Sequence, residues 1–364
     1  MSAKANKDAE IRALTGLRGA AAIFVAAFHF RHLITEPHIH WVLHKGYLSV
    51  DIFFVLSGFV MAVTYHRLFL KMITAKAFGQ YIWLRVARIW PLYVVAVIAG
   101  LAVATFRNLP IPPHSILFNI LMIQGWGLAP SINTPLWSVS TEFVAYLLFP
   151  ILISIVARGP RFLLLFIYLG CLLLVSYLTR IVPLDPTRPG ILAIADPYSL
   201  LPVFRCVAGF VLGLVAWRIS QTKSGAAMAS SHWAGAAIAA AISILFIVNA
   251  NDLLIYPLFP ILIICLAQDK GWLAKALGFY PVHWLGVLSF ALYALHHPFL
   301  YGVEPFISHM TRGLGRLTSP AAYFGLTVAG LLLLSITAHF AVERPARLLM
   351  RRLVGRNTPP AVKD

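Results

Sequence analysis

The sequence predicts an all-α membrane protein, a polytopic bundle of ten transmembrane helices plus one short re-entrant or interfacial helix. Hydrophobic residues make up 60% of the 364-residue chain, charged residues make up only 11%, and the mean hydropathy is +0.83. Soluble chains carry about 25% charged residues. Apolar stretches long enough to cross a bilayer, about 17 to 25 residues each, recur along almost the whole chain.

Ten of these stretches are predicted to span the membrane. They cover residues 14–33, 48–66, 81–106, 135–156, 162–179, 199–218, 233–250, 253–268, 282–302 and 321–341. Residues 115–126 are equally apolar but too short to span, so a re-entrant or interfacial helix is expected there. The membrane domain is then residues 14–347, with a short segment at 1–13 and a basic tail at 348–364.

The charges of the loops predict the orientation. With the N-terminus inside, 18 Lys and Arg residues fall on the inner side and 7 on the outer side, and the other four lie within spans. The positive-inside rule therefore favours both termini in the cytoplasm. The basic residues behind the net charge of +17 are interpreted as setting the orientation in the membrane and attracting anionic lipid headgroups. They are not interpreted as a nucleic-acid-binding signature.

Several classes of protein lack sequence support. The three cysteines lie in apolar segments without C-x-x-C spacing, so neither disulfides nor a cysteine metal site is expected. The chain has no Gly-x-Ser-x-Gly, P-loop or His-Glu-x-x-His motif, which leaves esterase, ATPase and zinc protease chemistry unsupported, and no metal is predicted. The first apolar stretch ends without a small-residue cleavage site, which argues against a removable signal peptide.

Arg18 and His29 lie in the first predicted helix, eleven residues apart. That spacing places both side chains on one helix face, roughly 16 Å apart along the axis. Ionisable residues in a transmembrane helix normally face a protein interior or a wet cavity and mark a functional site. The first helix is therefore predicted to form one wall of a pore.

Arg85 and Arg88 are three residues apart on one face of the third predicted span, at the same inner depth as Arg18. Planar guanidiniums give bidentate contacts that suit phosphate oxygens. The alternative is that these arginines only reach the lipid headgroups from a helix end. With Arg18 beside them, a phosphate site is the favoured interpretation.

Asp51 begins the second span at the outer edge of the bilayer, about level with His29 on the adjacent helix. A contact between them is predicted, because a carboxylate that holds one imidazole nitrogen leaves the other nitrogen to act as a general base. Two alternatives stay open. His29 could be satisfied by a backbone carbonyl, and Asp51 could cap its own helix.

The segment from Pro135 to Glu142 places Ser138 and Glu142 on one helix face and Trp137 near the outer interface. A buried Glu142 requires a partner, so it is expected to bind a cation, pair with an arginine such as Arg205, or hold substrate hydroxyls. By depth, Glu142 falls in the outer half together with His29, Asp51 and His296. His296 itself is interpreted as either an acceptor-binding or a packing residue.

At these residues the chain resembles the acyltransferase 3 family of integral membrane acyltransferases. The matching stretches extend over most of the chain and occur in the family's order. They are Gly16-Leu17-Arg18-Gly19 through His29, Gly46-Tyr47-Leu48-Ser49-Val50-Asp51-Ile52-Phe53-Phe54-Val55-Leu56-Ser57-Gly58-Phe59, Arg85-x-x-Arg88-Ile89-x-Pro91-x-Tyr93, Pro135-Leu136-Trp137-Ser138 through Glu142, and Leu292-Tyr293 through His296.

The resemblance implies a ten-helix enzyme of the bacterial inner membrane that transfers an acyl group, most often acetyl, from cytoplasmic acyl-CoA to a hydroxyl at the outer face. Acceptors in the family are usually sugars of surface polysaccharides, lipopolysaccharide or peptidoglycan. The family's Arg-to-His pair corresponds to Arg18 and His29, and its paired arginines correspond to Arg85 and Arg88. A fused hydrolase-like domain is absent from this sequence, which favours direct transfer within the bundle, although a ping-pong route stays open.

The hypothesis for the site follows from these assignments. Its cofactor is acetyl-CoA as donor, and its partners are membrane lipids and a carbohydrate acceptor. The cofactor-binding residues are Arg18, Arg85 and Arg88, the catalytic residues are His29, Asp51 and Glu142, and the substrate-binding residues are Trp137 and Ser138. The alternatives are a transporter of a lipid-linked sugar or anionic metabolite, and a non-catalytic membrane partner of a separate enzyme.

Overall fold

A computed structural model describes residues 10–31, 42–182, 189–306, 309 and 320–353. Within these ranges the regular structure is helical and contains no strand, which confirms the all-α prediction. Seven helices among them are long and apolar enough to cross a membrane, and an eighth is counted if a pair bent by 78° forms one span. The predicted number of ten is not confirmed.

The helices are numbered here in chain order. They are α1 (Arg12–Phe30), α2 (Ser49–Phe69), α3 (Ala75–Phe106), α4 (Pro113–Ile120), α5 (Trp137–Arg158), α6 (Arg161–Ile181), α7 (Leu201–Ser220), α8 (Lys223–Ser230), α9 (Ala234–Ile247), α10 (Asp252–Ile255), α11 (Leu258–Leu266), α12 (Trp272–Leu277), α13 (Tyr280–Val287), α14 (Ser289–Gly302), α15 (Pro320–Ala338) and α16 (Arg344–Arg352). Short 3-10 turns at Lys45–Leu48 and Thr134–Leu136 precede α2 and α5, and a π-helical turn at His339–Glu343 joins α15 to α16.

The first six predicted spans correspond to α1, α2, α3, α5, α6 and α7, and the short apolar piece corresponds to the eight-residue α4. The tenth lies in α15, whereas the seventh, eighth and ninth are each shorter or divided. The seventh contains only the 14-residue α9, and the eighth is divided into α10 and α11 at Pro257, which has no N–H to continue a helix. The ninth is divided into α13 and α14 at Leu288.

Exposed apolar surface identifies the sides of the bundle that face lipid. On α6, only 22% of the most apolar window is buried, and large side chains such as Phe162, Phe166 and Leu173 are exposed. Soluble monomers rarely expose apolar surface of this extent. The fold is therefore that of a multi-pass membrane protein.

Glycines allow the central helices to approach closely. A Cβ on Gly58 of α2 would lie 1.9 Å from the carbonyl oxygen of Phe210 on α7, and a Cβ on Gly213 would lie 2.0 Å from the oxygen of Val55. Small residues of this kind permit close backbone contact between membrane helices. The α2–α7 pair forms the centre of the bundle.

Some predictions concern residues outside the described ranges. They include most of the terminal segments 1–13 and 348–364, together with loop arginines at 188, 312 and 316 that entered the orientation argument. We call the side of the bundle where α1 begins the arginine end, and the side where α1 ends, at His29, the histidine end.

Candidate functional site

A cavity of about 270 Å³ lies between α1, α2, α3, α5, α14 and α16. Its lining is strongly basic, because five of the described lining residues are arginines and two are carboxylates. The arginines are Arg18, Arg85, Arg88, Arg347 and Arg351, and the carboxylates are Glu10 and Glu142. The three arginines of the predicted phosphate site therefore share one cavity.

Arg85 and Glu142 are held within this cavity by tyrosines. Arg85 Nη2 donates to Tyr65 Oη over 2.6 Å, and the Arg85 guanidinium lies 4.8 Å from the centre of the same ring. Tyr146 Oη donates to Glu142 Oε1 over 2.6 Å. Glu142 also interacts electrostatically with Arg18 and Arg85, so guanidinium groups lie near its carboxyl group.

The predicted depth of Glu142 was therefore wrong relative to the arginines, since it faces them instead of lying with His29 and Asp51. The reason is the length of α3. This helix begins at Ala75, six residues before the predicted start, so Arg85 lies about 15 Å along the helix axis instead of about 6 Å. Neither is Glu142 the partner of Arg205, which was the alternative considered from sequence.

Arg88 is held by the π-helical turn near the C-terminus. Its Nη1 lies 3.1 Å from Glu343 Oε1, and His339 Nδ1 lies 2.9 Å from Glu343 Oε2. Glu343 is only 1% exposed. The sequence analysis did not predict this pair. The four-residue spacing of His339 and Glu343 on one helix face was the available signal.

Asp51 pairs with Arg205 and not with His29. Arg205 Nε donates to Asp51 Oδ1 over 2.9 Å and Nη2 donates to Oδ2 over 2.6 Å, and both side chains are almost completely buried. The predicted His29–Asp51 contact is replaced by this ion pair between α2 and α7. The physical reason is that a buried arginine on the neighbouring helix binds both carboxylate oxygens at once.

Trp137 belongs to the same region and does not reach the cavity. Its ring lies 5.6 Å from the Arg205 guanidinium and 6.2 Å from the ring of Phe54, and it is not among the described residues that line the cavity. Ser138, the next residue, does line the cavity. The predicted pair of substrate-binding residues is thus split between the cavity wall and the packing behind it.

His29 lies at the histidine end in a cluster of three histidines. Its Nδ1 is 2.8 Å from the Val25 carbonyl oxygen and 3.3 Å from His296 Nε2, and the ring of His297 lies 6.2 Å away. Only a protonated Nδ1 can donate to a carbonyl, so the neutral ring carries its lone pair on Nε2. The backbone of α1 therefore gives His29 the tautomer that was expected from Asp51.

A polar wall separates the cavity from this cluster. Ser138 Oγ and Tyr293 Oη are 2.6 Å apart at the cavity surface, and the Tyr293 ring lies 5.5 Å from Phe53 and 5.8 Å from His296. His29 is not among the described lining residues, although Arg18 is. Of the two residues on the predicted pore wall, Arg18 lines the cavity and His29 does not. The cavity ends at Tyr293, one aromatic layer before the histidines.

Together these features define a class of protein, a helical membrane protein with a cavity that is lined by several arginines. The family follows from comparison with known proteins. Residues 11–339 match the family model of the acyltransferase domain called acyltransferase 3, and the chain belongs to this family.

Three curated relatives are similar over most of the chain. Acyltransferase MdmB of Streptomyces mycarofaciens is 29% identical over 96% of this chain and 93% of its own length. Exopolysaccharide production protein ExoZ of Rhizobium meliloti is 26% identical, with 84% and 90% covered. Peptidoglycan O-acetyltransferase OatA of Listeria monocytogenes is 26% identical over 81% of this chain but only 50% of its own length. No solved structure matches significantly.

Proposed function

We propose that the protein is an O-acyltransferase that moves an acetyl group from cytoplasmic acetyl-CoA to a hydroxyl of a cell-surface or exported carbohydrate. The observation that carries the proposal is the arginine-lined cavity, which extends from the arginine end toward a histidine of defined tautomer. Membership of the acyltransferase family supports the group transfer, and the names of OatA and ExoZ support a carbohydrate acceptor.

The donor would bind with its phosphates on Arg18, Arg85 and Arg88. All three line the cavity, and guanidiniums bind phosphate oxygens through paired charge-assisted hydrogen bonds. The pantetheine arm would then extend toward Ser138 and Tyr293 at the far wall. Arg18 and His29 are roughly 16 Å apart along α1, a distance that this arm has to bridge.

His29 would act as the general base. Its Nε2 would accept the proton of the acceptor hydroxyl as the oxygen attacks the thioester carbonyl carbon, forming the ester while the C–S bond breaks. The thiolate of CoA leaves and takes up a proton. The hydrogen bond from Nδ1 to the Val25 carbonyl supports this role, because it orients the ring and keeps the lone pair on Nε2.

Asp51 and Glu142 take different roles from those assigned by sequence. Asp51 would fix Arg205 and hold α2 against α7. Glu142 would keep Arg18 and Arg85 turned toward the cavity until phosphate binds. In this proposal, Ser138 and Tyr293 contact the acyl end of the donor, and the carbohydrate approaches from the histidine end.

The proposed orientation places the arginine end and both termini in the cytoplasm of a bacterial cell, with the chain in the inner membrane. The excess of basic residues in the predicted inner loops supports it. Acetyl-CoA then enters from the compartment in which it is made, and the acceptor is modified on the opposite side.

The test is His29→Ala in native membranes, measured by acetyl transfer to cell-surface glycans and by acetyl-CoA binding. Transfer should be abolished and donor binding retained. His66→Ala is the matched control, because His66 Nδ1 also bonds the carbonyl four residues earlier, over 2.7 Å, but lies outside the cavity and the histidine cluster. Unchanged transfer in His29→Ala would refute the role of His29.

Mass spectrometry of the glycans also separates this function from transport. An acetyltransferase adds the mass of one acetyl group to each modified sugar, and deletion of the gene removes it. A transporter would instead change the amount of glycan at the surface without changing its mass.

A further inference from the structure

A path of aromatic rings leads from the surface of the histidine end to His29. Tyr301 is 37% exposed, and it lies one helical turn after His297 on the same face of α14. The ring centres of Tyr301 and His297 are 4.6 Å apart, and those of His297 and His29 are 6.2 Å apart. His29 and His297 are half-buried, whereas His296 beside them is buried. A ligand that approaches from the histidine end therefore meets Tyr301 and His297 on its way to His29.

Arg107 lies on one side of this path. It directly follows α3, and the packing of α3 against α14 places it there, since a Cβ on Gly302 would lie 2.9 Å from Val103 Cγ2. The guanidinium carbon of Arg107 lies 4.9 Å from the centre of the Tyr301 ring, and Arg107 also interacts electrostatically with His297. A cation–π contact of this kind holds a guanidinium in place but does not neutralise its charge.

Arg31 brings a second guanidinium to the same path. It directly follows α1, its Nη1 donates to the Phe28 carbonyl oxygen over 2.7 Å, and its guanidinium carbon lies 4.3 Å from the centre of the Phe28 ring. These contacts turn the side chain back toward the bundle. Arg31 accordingly interacts electrostatically with both His29 and Tyr301.

The two guanidiniums matter for the proposed reaction because His29 becomes a cation when it accepts a proton. Among the described residues, no carboxylate forms an ion pair with Arg31 or Arg107. Glu304, three residues after Tyr301, accepts a hydrogen bond from a different residue, Tyr323. Like charges repel one another, so a cation that forms beside two guanidiniums is unfavourable unless the acceptor brings a negative charge.

We propose that the acceptor is an anionic carbohydrate, with a carboxylate or phosphate group on or next to the acylated sugar, and that Arg31 and Arg107 bind this group. The inference rests on the proposed function, in which the carbohydrate approaches from the histidine end. The apolar face of the sugar packs on the Tyr301 ring, and the guanidiniums bind the anionic oxygens through charge-assisted hydrogen bonds. The anion also offsets the positive charge that His29 gains as it accepts the hydroxyl proton.

The experiment uses the surface glycan purified from a strain in which the gene is deleted. The purified full-length protein in detergent transfers radiolabelled acetyl from acetyl-CoA to this glycan, and to the same glycan after methyl esterification of its carboxyl and phosphate groups. Esterification should lower kcat/KM by at least about tenfold, the size expected from charge-assisted hydrogen bonds. Added salt should raise the KM for the untreated glycan, because it screens the attraction between exposed charges.

Variants assign this preference to the two arginines. Arg31→Gln and Arg107→Gln should each lower kcat/KM for the untreated glycan by about 3- to 10-fold and reduce its advantage over the esterified glycan. Arg107→Lys keeps the positive charge and should retain most of the advantage. The matched control is Arg180→Gln, because Arg180 also lies in the last turn of a helix, α6, which packs mainly against α7. Since Arg107 is exposed, its variants keep the inference testable even if Arg31→Gln does not fold.

Three outcomes would overturn the inference. They are an acceptor glycan without carboxyl or phosphate groups, equal transfer to the untreated and esterified glycans, and an advantage of the untreated glycan that Arg107→Gln leaves unchanged. In the last case, a loss of thermal stabilisation by anionic phospholipid in Arg107→Gln would identify the arginine as a lipid-headgroup site. A wild type that transfers acetyl from acetyl-CoA to no glycan would refute the proposed function itself, which distinguishes that failure from the failure of this inference.

Discussion

The buried pair of Asp51 and Arg205 allows a quantitative test of how the bundle is held together. Both side chains are at most 2% exposed, and two hydrogen bonds of 2.6 and 2.9 Å join them. Removing one partner of such a pair leaves an uncompensated buried charge, which costs about 3–5 kcal/mol. Asp51→Ala and Arg205→Met should therefore each destabilise the protein severely.

The double variant Asp51→Ala/Arg205→Met should be more stable than either single variant, because it buries no charge. It still loses the hydrogen bond from Arg205 Nη1 to the Ile194 carbonyl, 3.2 Å long, and leaves that oxygen without this donor. Such a loss costs about 1–3 kcal/mol. The double variant is thus expected to recover at least part of the destabilisation of either single change.

The assay is thermal unfolding of the purified variants in one detergent at one scan rate, because membrane proteins of this size often unfold irreversibly. A destabilisation of 3–5 kcal/mol should lower the apparent Tm by on the order of 5 °C or more. The reasoning is refuted if Asp51→Ala is as stable as the wild type and loses acetyl transfer alone. That result would instead support the catalytic role that the sequence analysis predicted for Asp51.

Two further predictions concern packing and the histidine cluster. Gly58→Ala should prevent folding or strongly lower the Tm, because its Cβ would lie 1.9 Å from the Phe210 oxygen. In the control Gly170→Ala the added Cβ meets nothing within 4 Å, so this variant should be neutral or slightly stabilising in a thermal scan. His296→Ala removes the ring whose Nε2 is 3.3 Å from His29 Nδ1 and should slow acetyl transfer by about 3- to 10-fold, with a changed pH profile of kcat/KM. Equal Tm values for the two glycine variants, or an unchanged rate and pH profile for His296→Ala, would contradict these expectations.

The membrane class and the grouping of the arginines were predictable from the sequence alone. Long apolar stretches require helices in a bilayer, because backbone groups there have no water to bond. Arginines placed three residues apart on such a helix share a face, so it followed from their spacing that Arg85 and Arg88 line the same cavity.

Partners across the bundle were not predictable in the same way. Asp51 and His29 shared an expected depth, yet the structure pairs Asp51 with Arg205 of α7, because depth does not specify which helices are neighbours. Glu142 was placed too far from the arginines, because the start of α3 was displaced by six residues and each residue moves a side chain about 1.5 Å along the axis. The pair of Glu343 and Arg88 was not predicted, because the π-helical turn that contains Glu343 has no sequence signature of its own.

The sequence by itself determined what is local: which segments are membrane helices, which side chains share a helix face, and which polar residues require a protein environment. Periodicity and hydropathy decide these features residue by residue. Only the tertiary structure decided that Asp51 pairs with Arg205, that a backbone carbonyl orients His29, and that α16 contributes Arg347 and Arg351 to the cavity. Those contacts join residues distant in the chain, and they depend on which helices pack together and at what height.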